Sequence, residues 1–191
     1  MVSPKKRREM SERRIMDKRI EYRGYNMVKD IRRLADIYMS DRSRLFPYQN
    51  RYQFVLKHGR PFIRKPLPEI YETGYPKQCY GNACQLVRKY PDDLFYAEGF
   101  GVPNRSGCFI LEHAWAVDAQ GNVIDPTWEP VGRLYFGVVF DFDYLKRVTY
   151  SGRRYTPLID NFNERWPLID GRHTDWMPRS DKAPVSNEKW W

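Results

Sequence analysis

The stretch Phe109-Ile110-Leu111-Glu112-His113-Ala114-Trp115-Ala116-Val117-Asp118-Ala119-Gln120-Gly121-Asn122-Val123-Ile124-Asp125 reads as one β-hairpin. Residues 109–117 alternate as a strand does. Phe109, Leu111, His113, Trp115 and Val117 share one face, and Ile110, Glu112, Ala114 and Ala116 share the other. Residues 118–122 have hairpin-turn chemistry, with Gly121 suited to a positive φ. If residues 119–121 form a three-residue loop, Asp125 falls opposite Trp115. It is then a diagonal neighbour of His113 on the same face. The hairpin thus brings an imidazole and a carboxylate to one place.

Upstream lies Gln78-Cys79-Tyr80-Gly81-Asn82-Ala83. A helix is expected from about Cys79 to about Lys89, with Ala83, Leu86 and Val87 on its buried side and Tyr90-Pro91-Asp92-Asp93 ending it. A cysteine at a helix start feels unpaired N–H groups and the positive end of the helix dipole, and both favour thiolate. Cys79, His113 and Asp125 therefore supply, in chain order, a nucleophile, a base and an acid to orient the base. The Cys79 N–H and the Gln78 side chain are candidate oxyanion donors, and Gln78 and Trp115 are assigned to the pocket. Cys84 falls inside the helix and reads as a core residue. Cys108 precedes the histidine strand with the opposite parity and is expected to face away. Taken singly, each triad member also has a plain structural reading: a small apolar cysteine, a satisfied core histidine, an aspartate opening a turn. Their combination favours chemistry.

Around this centre, residues 94–100 read as a short strand and residues 135–142 as a nearly all-apolar, central one. Val28, Ile31, Leu34, Ala35 and Tyr38 fall at helical spacing, which predicts a helix over residues 27–39 with Asn26 as N-cap. Residues 40–68 mix aromatics with Arg51, Lys57, Arg60, Arg64 and Lys65, broken by Pro61, Pro66 and Pro68. A loop-rich shell with buried rings is the preferred reading there, over a nucleic-acid surface. Pro-Leu-Ile-Asp occurs at residues 157–160 and again at 167–170, which suggests docking turns rather than a repeat architecture. The last residues, from 178 on, are expected to be mobile unless Trp190 and Trp191 dock.

With 191 residues and 41% hydrophobic content, one domain with a real core is expected. No run is long and apolar enough to span a bilayer, and no apolar segment follows the basic start, so neither membrane nor secretion is indicated. Cys79, Cys84 and Cys108 form neither a disulfide framework nor a metal set; a cytoplasmic location without metal or cofactor is expected. The net charge of +9 is uneven: residues 1–65 hold 19 Lys/Arg against 7 Asp/Glu, and the remainder 14 against 17. Lys5, Lys6, Arg7, Arg8, Arg13 and Arg14 lie in a basic arm over residues 1–25. That arm is a candidate contact for nucleic acid or an acidic partner. The rival to an enzyme is accordingly a binding protein with a vestigial triad.

The cysteine segment, Tyr96-Ala97-Glu98-Gly99-Phe100, His113-Ala114-Trp115 and Asp125-Pro126-Thr127 together resemble the transglutaminase-like superfamily. The resemblance spans roughly residues 78–127. It implies a papain-like α+β fold, with a nucleophile helix packed on an antiparallel sheet. It further implies thioester acyl-enzyme chemistry on an amide, peptide or carboxamide, without a metal, with Cys79 as nucleophile, His113 as base and Asp125 as orienting acid. Gln78 departs from the family, which often has glycine before the cysteine. The chain then divides into the arm, residues 26–70 packing on the core, a catalytic core over 71–150, and a wrapping segment with a tail over 151–191. A protein or peptide is the expected substrate.

Overall fold

The computed structural model describes residues 20–39, 46–105, 107–149, 155–179 and 183–184. The chain is α+β. Residues 21–22 and 25–26 pair as a short hairpin (β1, Glu21–Tyr22; β2, Tyr25–Asn26) that leads into α1, Met27–Ile37. Asn26 caps α1 as expected, its side chain accepting from the Lys29 N–H at 3.0 Å. Such a cap stabilises a helix by about 1 kcal/mol. Met27, Ile31 and Ala35, one face of the helix, are buried.

Residues 46–68 depart from the expected loop-rich shell. Arg51–His58 forms α2, capped by the Asn50 side chain on the Gln53 N–H at 3.0 Å. Tyr52, Phe54 and Val55 bury its inner side. The helix is only eight residues long, and Pro61 follows so closely that the sequence shows little more than two turns of apolar period. β3, Arg60–Pro61, then enters the main sheet.

α3, Cys79–Lys89, is followed by β4, Leu94–Val102, β5, Leu111–Asp118, β6, Val123–Ile124, and β7, Leu134–Phe140; α4, Phe142–Thr149, is the last helix or strand among the described residues. The strand order is β3-β7-β4-β5-β6, every pairing antiparallel. β4 holds the middle of the sheet, and β7, as expected, is an interior strand, flanked by β3 and β4. Beyond β3, the Ile63 N–H donates to Gly121 O at 3.1 Å and the Val123 N–H to Ile63 O at 2.8 Å. The chain after β3 therefore meets β6, and the sheet curls until its two edges touch.

This curl creates two cores. Phe62, Ala97, Trp115, Val117, Val123, Val131 and Tyr135 fill the inside of the curl. The outer face carries Tyr96, Phe100, Ala114, Ala116 and Val138 beneath the helices. Gly99 pairs with Gly137 across β4 and β7, and a Cβ on Gly99 would come within 2.5 Å of the Gly137 Cα. Bare backbone at this pair lets the strands approach closely enough to curl.

Candidate active site

The hairpin has the register that the turn predicts: Val117 pairs with Val123 and Ala116 with Ile124. Gly121 has φ +80°. Asp125 leaves β6 beside the histidine strand, and His113 Nε2 and Asp125 Oδ2 stand 2.8 Å apart. Both side chains are buried. Three further donors serve the carboxylate. The Tyr135 hydroxyl donates to Oδ2 at 2.7 Å, and the Thr127 and Trp128 N–H groups donate to Oδ1 at 2.8 and 3.2 Å. Tyr135 is itself oriented by the Gly132 N–H, which donates to its hydroxyl at 2.8 Å. Burial by itself would raise the Asp125 carboxyl; His113 and these donors outweigh it and hold the group below its ordinary value.

Burial would likewise lower His113, but the Asp125 carboxylate reverses this. The Cys79 thiol, close enough to interact with the ring, adds to the effect, and His113 is raised to about 9. Asp125 thus favours the charged form of the imidazole. Trp128 lies flat against it, ring centroids 3.7 Å apart and planes 8° apart. Room for the indole comes from Gly101 and Gly132, where an added Cβ would approach the Trp128 ring to 2.7 and 2.8 Å.

Cys79 is the first residue of α3 and is partly exposed. Gln78 occupies the N-cap position with φ −116° and ψ 40°, and its side chain makes no capping hydrogen bond. The N–H groups of the first turn therefore receive no side-chain acceptor from the cap. Buried Asn82, one turn along, ties the helix to the aspartate loop. Its Nδ2 donates to Thr127 Oγ1 at 2.9 Å and to Tyr75 O at 2.7 Å, and its Oδ1 accepts from the Tyr75 N–H at 3.1 Å. Gly74 lies so close to this amide that a Cβ would come within 2.3 Å of it. The start of the helix, the segment before it and the loop after Asp125 are locked together.

Not every residue named from sequence lies here. Trp115 is fully buried inside the curl, against Phe62 and Tyr135, with its ring nearly parallel to His113 at 6.1 Å. Parity placed it on the His113 face, and the curl turns that face inward at both residues. Gln78 is exposed beside the thiol. Cys84 is a core residue whose thiol is raised by burial and sits 3.7 Å from Thr149 Oγ1. Cys108 is partly exposed and lies 3.9 Å from Arg133 Nη1. Lys5, Lys6, Arg7, Arg8, Arg13 and Arg14 lie outside the described residues, as do Trp190 and Trp191.

No family model matches the chain, and no curated protein or solved structure matches it either. The site therefore stands on its own geometry. Among the described residues, no helix is long and apolar enough to cross a membrane. Sequence reasoning missed Tyr135, Trp128 and Asn82. Asn82 lies within the cysteine segment, three residues beyond Cys79, and Trp128 directly follows Thr127, three residues beyond Asp125. Tyr135 carried no local signal, because it reaches Asp125 from a different strand.

Proposed function

We propose that this protein is a cysteine-dependent hydrolase or acyltransferase acting on an amide, peptide or carboxamide through a thioester acyl-enzyme. The observation that carries this reading is the buried His113–Asp125 pair, 2.8 Å apart, next to a cysteine that opens a helix. A merely structural histidine needs neither a carboxylate held by three further donors nor a thiol acting on its ring. The α+β fold, with α3 laid on an antiparallel sheet, suits a papain-like or transglutaminase-like core, which we adopt as part of the proposal.

In this mechanism Nε2 is committed to Asp125, so Nδ1 is the nitrogen that exchanges a proton with Cys79. The Cys79 sulfur attacks the carbonyl carbon, and its proton resides on His113. The tetrahedral oxyanion is met by the Cys79 N–H, with the exposed Gln78 amide as second donor. His113 then protonates the leaving amine, and the C–N bond breaks to give a thioester. Water, or a second amine, attacks this thioester with His113 as base and regenerates the thiol. Asp125 keeps the imidazole oriented throughout. A cleft of about 480 Å³ beside α3, lined by Gly74, Tyr75, Asn82, Gln85, Leu86 and Pro126, offers space for the rest of a substrate.

The test is Cys79→Ala against wild type on a panel of peptide amides, carboxamides and amine acceptors. Loss of all turnover with retained folding supports the reading. Turnover that survives the substitution refutes it.

A further inference from the structure

Glu98 lies on β4 beneath the first turn of α3, in the outer core, and is 2% exposed. A buried carboxylate in mid-sheet is expensive unless hydrogen bonds meet it. Here they come mostly from the C-terminal segment. The Leu158 N–H donates to both carboxylate oxygens at 2.8 Å, and the Ile159 N–H donates to Oε2 at 3.0 Å. The Tyr96 hydroxyl completes the set at 2.7 Å. Glu98 thereby holds the first Pro-Leu-Ile-Asp copy by its backbone, and Arg51 holds the end of that copy through Asp160 at 3.2 Å.

The held segment runs against the residues that immediately follow Cys79. The Tyr155 ring packs on Gly81, where a Cβ would lie 3.0 Å from Tyr155 Cδ2. Tyr80, Pro157 and Ile159 enclose a small void with Glu98 itself. The segment and the carboxylate thus brace Tyr80 and Gly81 from two sides, while Asn82 is held from a third by Thr127. The first turn of α3 has no side-chain cap to steady it, so its position depends on such outside contacts.

We propose that Glu98 is a positioning residue for the nucleophile: by pinning residues 157–159, it presses Tyr155 and Ile159 onto the Tyr80–Gly81 turn and sets where the Cys79 sulfur stands relative to His113. This role rests on the acyl-enzyme reading. Neither Glu98 nor the segment touches substrate; both act through the turn.

The test is the alkylation rate of each cysteine in the full-length chain, using iodoacetamide at about pH 6.5, with N-acetylcysteine in the same tube as reference and peptide mass spectrometry as readout. Wild-type Cys79 should outpace the reference by about ten-fold or more. Glu98→Leu removes both oxygens that accept from the Leu158 and Ile159 N–H groups, so the segment loosens. The Cys79 advantage should fall about ten-fold, with Cys84 still protected in the core. Tyr155→Ala leaves Glu98 untouched, removes the ring from Gly81, and should produce the same loss; it serves if the Leu variant does not fold. If both variants keep a fast Cys79, the role of Glu98 is overturned. If Cys84 becomes reactive in step with the loss at Cys79, Glu98 supports the fold at large and the specific role is again overturned. A slow wild-type Cys79 would remove the acyl-enzyme reading, and this role with it.

Discussion

Trp128 covers His113 face to face at 3.7 Å, on the ring whose far nitrogen is bonded to Asp125. The indole keeps water from one side of that pair, and its π face lies over a charged imidazolium, an arrangement worth about 1–2 kcal/mol when desolvated. Trp128→Ala should therefore lower turnover and Cys79 alkylation by about ten-fold and destabilise the fold by roughly 3 kcal/mol. Urea unfolding and the alkylation assay read the two effects separately. A stability loss with unchanged Cys79 reactivity would reduce Trp128 to packing.

The space for that indole is set by two glycines. Gly101→Ala and Gly132→Ala each place a methyl group within 2.8 Å of the Trp128 ring. The ring must shift, at a cost of about 1–3 kcal/mol. Both variants should resemble Trp128→Ala in alkylation while retaining tryptophan fluorescence at a changed wavelength. Wild-type reactivity in both would show that the stack is not needed.

Tyr135→Phe removes one donor from the Asp125 carboxylate and leaves the Gly132 N–H without its acceptor. Hydrogen bonds to a charged group contribute about 1.5–3 kcal/mol, and the loss in denaturant titration should fall in that range. The Asp125 carboxyl should move up, since one of the contacts that lower it is gone.

Stability should depend on pH in two windows. His113 is raised in the fold to about 9 from an ordinary 6.5, so its contribution is complete below about 6.5 and is lost as pH rises through about 9. Glu98 is raised by burial to about 7 from 4.5, so stability also declines as pH rises from about 4.5 to about 7. The melting temperature should fall across both ranges. His113→Gln should remove the decline above pH 7 and leave the lower one. An alkaline decline that persists in His113→Gln would mean that another group carries it.

The two devices that organise the site were legible because both are local. A two-residue alternation and a turn with Gly121 set the register that puts Asp125 beside His113. The start of α3 at Cys79 and the cap of α1 at Asn26 follow from helical period and cap chemistry. α2 went unread because eight residues beside a proline offer too little period, and its helical state comes from burying Tyr52, Phe54 and Val55.

The amino-acid order alone determined where α1 and α3 begin and which face of β5 His113 occupies, because those depend on neighbours a few positions away. It did not determine which tryptophan serves the histidine. Trp115 shares the His113 face in the strand, yet the meeting of Ile63 with β6 closes the sheet around it, while Trp128 folds back onto the ring through space opened by Gly101 and Gly132. The same holds for Tyr135 on Asp125, and for Glu98 under Leu158 and Ile159, sixty residues away. These contacts join segments whose approach is governed by how the sheet curls and what the two cores can bury, which only long-range packing sets.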